Sequence, residues 1–113
     1  QIGCPTYAQD IAKATVKILA HLNNKKIDGG IFHYCGDHPI SWYGFAKSIF
    51  EEASLIGLKT PTLVKSIHSS DYKTVAARPK YSVLECGKIK NSFGIKPSDW
   101  KSGIKKSLSK IYL

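Results

Sequence analysis

The stretch SWYGFAKSIFEEASLIG, residues 41–57, constrains the fold of this chain more than any other. Trp42, Phe45, Ala46, Ile49, Phe50 and Ala53 recur at helical spacing and make one wide apolar stripe. Ser41 stands at the expected N-cap, where its hydroxyl can accept an amide proton left unpaired at a helix start. Gly57 suits the left-handed residue that closes a helix end. So wide a stripe must be covered by a second layer, which the rest of the chain has to supply.

What it supplies is mostly more helix. In PTYAQDIAKATVKILAHLNNKK, residues 5–26, Ile11, Thr15, Ile18 and Leu22 share a face, flanked by Ala14 and Leu19. Thr6 is the expected N-cap, Gln9 completes a capping box, and Asn23-Asn24 with Gly29-Gly30 end the helix. Gly87–Phe93 reads as a short helix stopped by Gly94. After Pro97 and Ser98, the segment DWKSGIKKSLSKIYL sets Trp100, Ile104, Leu108 and Ile111 on one face.

Strand signals are thin. IFHYC, residues 31–35, reads as a short buried strand broken by Asp37-His38-Pro39, and LVKSI, residues 63–67, as a weaker one. Residues 68–80 read as an ordered loop with one helical turn at Ser69–Tyr72. The expectation is a small α/β lobe of four helices with two or three short strands. Its strand edges would lack partners, so the lobe should lean on further structure.

A chain of 113 residues is the size of one domain, and 42% hydrophobic content is enough for a core. With 22% charged residues and no apolar run of roughly eighteen, a membrane span is not expected. The opening QIGCPTYAQD lacks a starting Met and any leader pattern, so we expect a piece of a longer, cytoplasmic protein. Cys4, Cys35 and Cys86 are odd in number and without a CxxC spacing, which fits reduced thiols rather than a disulfide framework. A net charge of +9 favours anionic partners, nucleic acid and phosphate-bearing ligands among them.

Several residue pairs carry chemistry on paper. Tyr43 and Lys47 have the Tyr-x-x-x-Lys spacing in which a lysine lowers a tyrosine pKa. No glycine-rich dinucleotide loop accompanies them, so we read them as the flank of a packed helix. His33, Cys35 and His38 lie close together, but no second Cys/His pair completes a zinc set. A packed histidine and a buried thiol are expected there, with no metal. Glu51-Glu52 reads as surface charge. Lys101, Lys105, Lys106 and Lys110 spread over one side of the last helix, either as a solvated face or as a phosphate-tracking one.

Arg78 differs from these. Pro79 holds it out of the helical region. A guanidinium fixed in that way can bind phosphate oxygens bidentately, or pair with a carboxylate such as Asp71 or Glu85.

Three blocks in order, QIGCPTYAQDIA, GIFHYCGDHPISWYGFAKSIFEEA, and RPKYSVLECGKIKNSFGI followed by DWKSGIKKSL, resemble the C-terminal part of the dTDP-4-dehydrorhamnose reductase family. The resemblance covers nearly the whole chain. It implies that residues 1–113 are the substrate-binding lobe of an extended short-chain dehydrogenase whose N-terminal Rossmann domain is absent. That half would carry the NADPH or NADH site and the catalytic Thr, Tyr and Lys, so no catalytic residue is expected here and the lobe alone should be inactive. The whole enzyme would reduce dTDP-4-dehydro-6-deoxy-L-mannose to dTDP-L-rhamnose for polysaccharide biosynthesis.

The resemblance also implies that Arg78 reaches the nucleotide-sugar diphosphate, with Thr6 and Tyr7 as further substrate-binding candidates. A homodimer is compatible with it. Ala77 stands where the family often has a second arginine, and Glu85 where aspartate is common. Two other readings stand beside this one: the substrate domain of another nucleotide-sugar epimerase or dehydratase, and a small basic nucleic-acid-binding module.

Overall fold

The computed structural model describes residues 1–24 and 29–112. Its elements run β1 (Ile2–Gly3), α1 (Ala8–Asn24), β2 (Ile40–Ser41), α2 (Trp42–Leu55), a 3-10 turn (Ser69–Asp71), α3 (Gly87–Phe93) and α4 (Trp100–Tyr112). Residues 25–26 of the first helical segment and Leu113 of the last lie outside the described residues. Among the described residues, four helices and a small sheet make up the expected α/β lobe.

α2 begins and ends on the residues that its sequence names. The Ser41 hydroxyl accepts the Gly44 amide at 3.0 Å. At the other end Gly57 takes φ +80, its amide bonds Ser54 O at 3.0 Å, and Leu58 N bonds Ala53 O at 3.0 Å. This double closure satisfies carbonyls that the helix leaves open. The stripe itself is covered unevenly. Ala53 is buried, Phe45, Ala46, Ile49 and Phe50 are half-buried, and Trp42 is 66% exposed. α4 is the covering layer, with the Phe45 ring edge-on to Trp100 at 5.7 Å. Lys105 Nζ reaches Glu52 Oε1 at 3.6 Å, so only Glu51 is the plain surface charge expected of that pair.

α1 departs from expectation at its start. Thr6 does not cap it; the Thr6 hydroxyl donates to the Cys4 carbonyl at 3.1 Å. Tyr7 opens the helix, its carbonyl accepting the amides of Asp10 and Ile11, while its own amide donates to Ser98 Oγ at 3.1 Å. A side chain 91 residues away thus does what the local pattern assigned to a neighbour. The covered face is also narrower than expected. Ala14 is buried and Ile18 half-buried, whereas Ile11, Leu19 and Leu22 are about half exposed. α1 meets α3 along one side, and that contact hides only a strip of it.

Both expected strands are absent as strands. Residues 31–35 alternate as a strand does, with Phe32 and Tyr34 turned in and Ile31 and His33 turned out. They have no neighbour in register, and only Gly36 forms a bridge, to Ser98. Residues 63–67 are irregular, with Leu63 and Ile67 exposed. The sheet forms elsewhere. β1 and β2 pair antiparallel, Ile2 opposite Ser41 and Gly3 opposite Ile40. On the other side of β1, Ile2 N bonds Lys80 O at 2.8 Å and Ser82 N bonds Ile2 O at 2.9 Å. Two-residue strands are too short to show a period in sequence.

The core is small. Ala14, Ile89, Phe93 and Ile95 are buried together, with Ile18, Phe32, Tyr34 and Cys86 packed around them. The Phe93 ring meets Phe32 edge-on at 5.1 Å and His21 at 5.7 Å. Gly94 ends α3 with φ +63, and the 3-10 turn falls where a single helical turn was expected. Among the described residues no helix is long and apolar enough to cross a membrane.

Candidate functional site

Three pieces of backbone lie side by side, Ser41, Ile2 and Tyr81 forming one row across them. Each leads into the same space. β1 runs through Cys4–Tyr7 into α1, β2 passes directly into α2, and the third piece emerges from the Arg78-Pro79 turn. Between them and α4 lies a cavity of about 610 Å³, lined by Thr6, Tyr7, Trp42, Phe45, Arg78 and Trp100 among others. That volume suits a small organic ligand. The three site candidates from the sequence therefore line one cavity.

Arg78 is exposed and forms no ion pair among the described residues. The carboxylates that could have neutralised it are engaged elsewhere. Asp71 accepts the Ser70 hydroxyl at 3.3 Å, and Glu85 accepts the Gly87 amide at the start of α3. Its guanidinium keeps five donors for a ligand.

Tyr7 is held by its backbone. Its amide is on Ser98, and its Cβ lies so close to Gly103 that a side-chain carbon there would come within 2.8 Å. The Tyr7 hydroxyl is buried and has no hydrogen-bond partner among the described residues. Thr6 lines the cavity while its hydroxyl is turned to the Cys4 carbonyl.

The aromatic wall was missed by sequence reading. Trp42 packs edge-on against Phe45 at 6.4 Å, Phe45 against Trp100 at 5.7 Å, and Trp100 Nε1 donates to His38 O at 3.0 Å. In sequence Trp42 is one more apolar residue of the α2 stripe. A first-turn residue of such a stripe gives no signal of whether it meets a core or a cavity.

The remaining sequence motifs do not converge on this cavity. Lys47 Nζ stands over the Tyr43 ring, 5.9 Å from its centroid, and both line a separate shallow groove beside residues 60–64. His33 is exposed, not packed as expected, Cys35 is buried, and His38 Nδ1 sits 2.8 Å from Asp37 Oδ2. No group of three or more His, Cys, Asp or Glu side chains is gathered for a metal among the described residues. The lysines of α4 are exposed: Lys101 Nζ lies 5.7 Å from the Trp100 ring, Lys106 Nζ 6.0 Å from the Tyr7 ring, Lys105 Nζ 3.6 Å from Glu52 Oε1, and Lys110 stands in the last turn.

Nor do these residues form a dinucleotide cradle. No glycine lies in Cys4–Tyr7, between β1 and α1, and the Tyr7 amide at the helix start is already given to Ser98.

Known proteins resemble this chain over most of its length. The chain is 42% identical over 107 residues to a dTDP-4-dehydrorhamnose reductase of Aggregatibacter actinomycetemcomitans, covering 93% of this chain and 36% of that protein. It is 35% identical over 108 residues to the spore coat polysaccharide biosynthesis protein SpsK of Bacillus subtilis (strain 168), covering 96% and 34%. The crystal structure of a dTDP-4-dehydrorhamnose reductase from Clostridium acetobutylicum superposes with a TM-score of 0.79 at 28% identity, covering 100% of this chain and 37% of that one. The chain thus spans little more than a third of the length of such relatives. The RmlD substrate binding domain family matches all of residues 1–113, so the resemblance in the three sequence blocks is borne out and the chain belongs to that family.

Proposed function

We propose that this chain is the nucleotide-sugar-binding lobe of a dTDP-4-dehydrorhamnose reductase. The whole protein would be a cytoplasmic, extended short-chain dehydrogenase that reduces dTDP-4-dehydro-6-deoxy-L-mannose to dTDP-L-rhamnose for polysaccharide biosynthesis. The hydride would come from NADPH or NADH, held by an N-terminal Rossmann domain outside residues 1–113. The observation that carries the reading is Arg78, a cation without a carboxylate partner among the described residues, on the rim of a cavity with an aromatic wall.

In this reading the Arg78 guanidinium grips the diphosphate with paired hydrogen bonds. Trp42, exposed at the cavity, offers a flat face to the base or sugar, and Phe45 and Trp100 brace it from behind. Thr6 and Tyr7 also line this cavity. The lobe contributes no reacting group. It holds the sugar in one orientation, which lowers the barrier by removing motional freedom before the reaction.

Titration of the full-length protein with dTDP-L-rhamnose tests this, with a short DNA duplex as competitor. A hydrogen bond to a charged group is worth about 1.5–3 kcal/mol, so Arg78→Ala should weaken binding roughly 10- to 150-fold. The melting temperature should not move, because Arg78 is exposed. Unchanged affinity in Arg78→Ala, or displacement of the sugar nucleotide by DNA at physiological salt, would remove the proposal.

A further inference from the structure

Cys35 and Cys86 are 51 residues apart in sequence, yet their sulfurs lie 3.6 Å from each other. Cys35 ends the extended segment 31–35 and is 6% exposed. Cys86 stands at the cap of α3 and is half-buried, so one thiol is reachable from solvent and the other is sheltered behind it. Both point at the same carbonyl: Cys35 Sγ is 3.4 Å and Cys86 Sγ 3.8 Å from Leu84 O. The third thiol, Cys4, is not part of this group. A sulfur pair already in contact needs only a small side-chain shift to reach bonding distance.

We propose that Cys35 and Cys86 are a dithiol site that a low-molecular-weight disulfide, such as oxidised glutathione, converts reversibly into an intramolecular disulfide. The reaction proceeds in two exchanges. Cys86 gives up its proton and its thiolate attacks one sulfur of the glutathione disulfide. A Cys86–glutathione mixed disulfide forms and one glutathione thiolate leaves, taking up that proton. Cys35 then loses its proton and attacks Cys86 Sγ. The Cys35–Cys86 bond forms, and the second glutathione departs and is protonated. Two protein thiols are oxidised, and one disulfide is reduced to two thiols.

The location gives the bond a consequence. Gly36 follows Cys35 directly and abuts Pro5 and Trp100, both of which line the cavity. The disulfide would tie the back of that wall to the start of α3. The cross-link closes a long loop and so restricts the unfolded chain. Oxidation should therefore raise the melting temperature. Burial, with the hydrogen bond shared with the Cys35 thiol next in weight, pushes the Cys86 thiol above its ordinary value, and the charges of Cys35 and Glu85 act in the same direction. The reaction should accordingly be slow at neutral pH and faster in mild alkali.

The test is treatment of the full-length protein with oxidised glutathione in mild alkali, followed by alkylation, digestion without reductant and peptide mass analysis. The expected result is a linked pair of peptides carrying Cys35 and Cys86, undone by dithiothreitol. That pair should persist in Cys4→Ser and be lost in Cys86→Ser, whose half-exposed site tolerates the change. Retention of glutathione on Cys86 without transfer, a link through Cys4, or alkylation of all three thiols after treatment would each overturn the proposal.

Discussion

The Ser98 hydroxyl donates to the Asp10 carboxylate at 2.8 Å and accepts the Tyr7 amide at 3.1 Å, tying the start of α1 to the residue that precedes the α4 cap. Ser98 is 1% exposed, and its backbone is also paired on both sides, to Cys35 O and to the Asp37 amide. Ser98→Ala keeps the backbone pairs but strands a half-buried carboxylate and an amide. A loss of about 1–3 kcal/mol is expected from denaturant unfolding. Asp10→Asn, which keeps an acceptor for the hydroxyl, should cost less; an equal cost would mean that charge rather than the hydrogen bond matters.

Gly36→Ala should be far more damaging than its small size suggests. A Cβ at this position would run into the Pro5 carbonyl oxygen and come within 3.0 Å of the Trp100 ring. The backbone cannot yield easily, because Cys35 O and the Asp37 amide are both bonded to Ser98. Overpacking of this kind costs about 1–3 kcal/mol. Thermal melting should show it, with Gly29→Ala as the control, since nothing lies within 4 Å of that position. Equal melting of the two variants would mean that the Pro5 wall moves freely.

Stability should fall in alkali through Tyr34. Burial is the main reason its phenol is raised above the ordinary value near 10, the Asp10 charge adds to it, and the Ser98 hydroxyl works against it. The native state therefore holds this proton more tightly than the unfolded chain does. That contribution is complete below about pH 10 and is lost as the pH rises through the folded value. Melting temperatures measured across this range should fall less steeply in Tyr34→Phe. The Cys86 thiol is raised as well, so the comparison belongs in a Cys86→Ser background. Parallel curves with and without the Tyr34→Phe change would show that the phenol does not titrate with unfolding.

Where the local chain carries its own instructions, reading it was enough. Ser41 and Gly57 frame α2, and Gly94 stops α3, because caps and left-handed glycines act within a few residues. The family resemblance was legible for a similar reason: the order of three blocks is a property of the chain itself.

The strands, the start of α1 and the cavity wall were decided in three dimensions. Residues 31–35 have the alternation of a strand, but a strand exists only when a second backbone lies in register, and among the described residues the backbone that bonds this stretch is Ser98, at its end. Thr6 has the pattern of a cap, but its hydroxyl went to Cys4 and the helix start to Ser98. Trp42 and Ala53 share one apolar stripe, yet Ala53 is buried and Trp42 faces a cavity, because α4 covers only part of α2. Hydrophobic spacing laid an apolar stripe along each helix. Which residues of a stripe found a protein neighbour, and which stayed exposed, depended on contacts made by residues far apart in the chain.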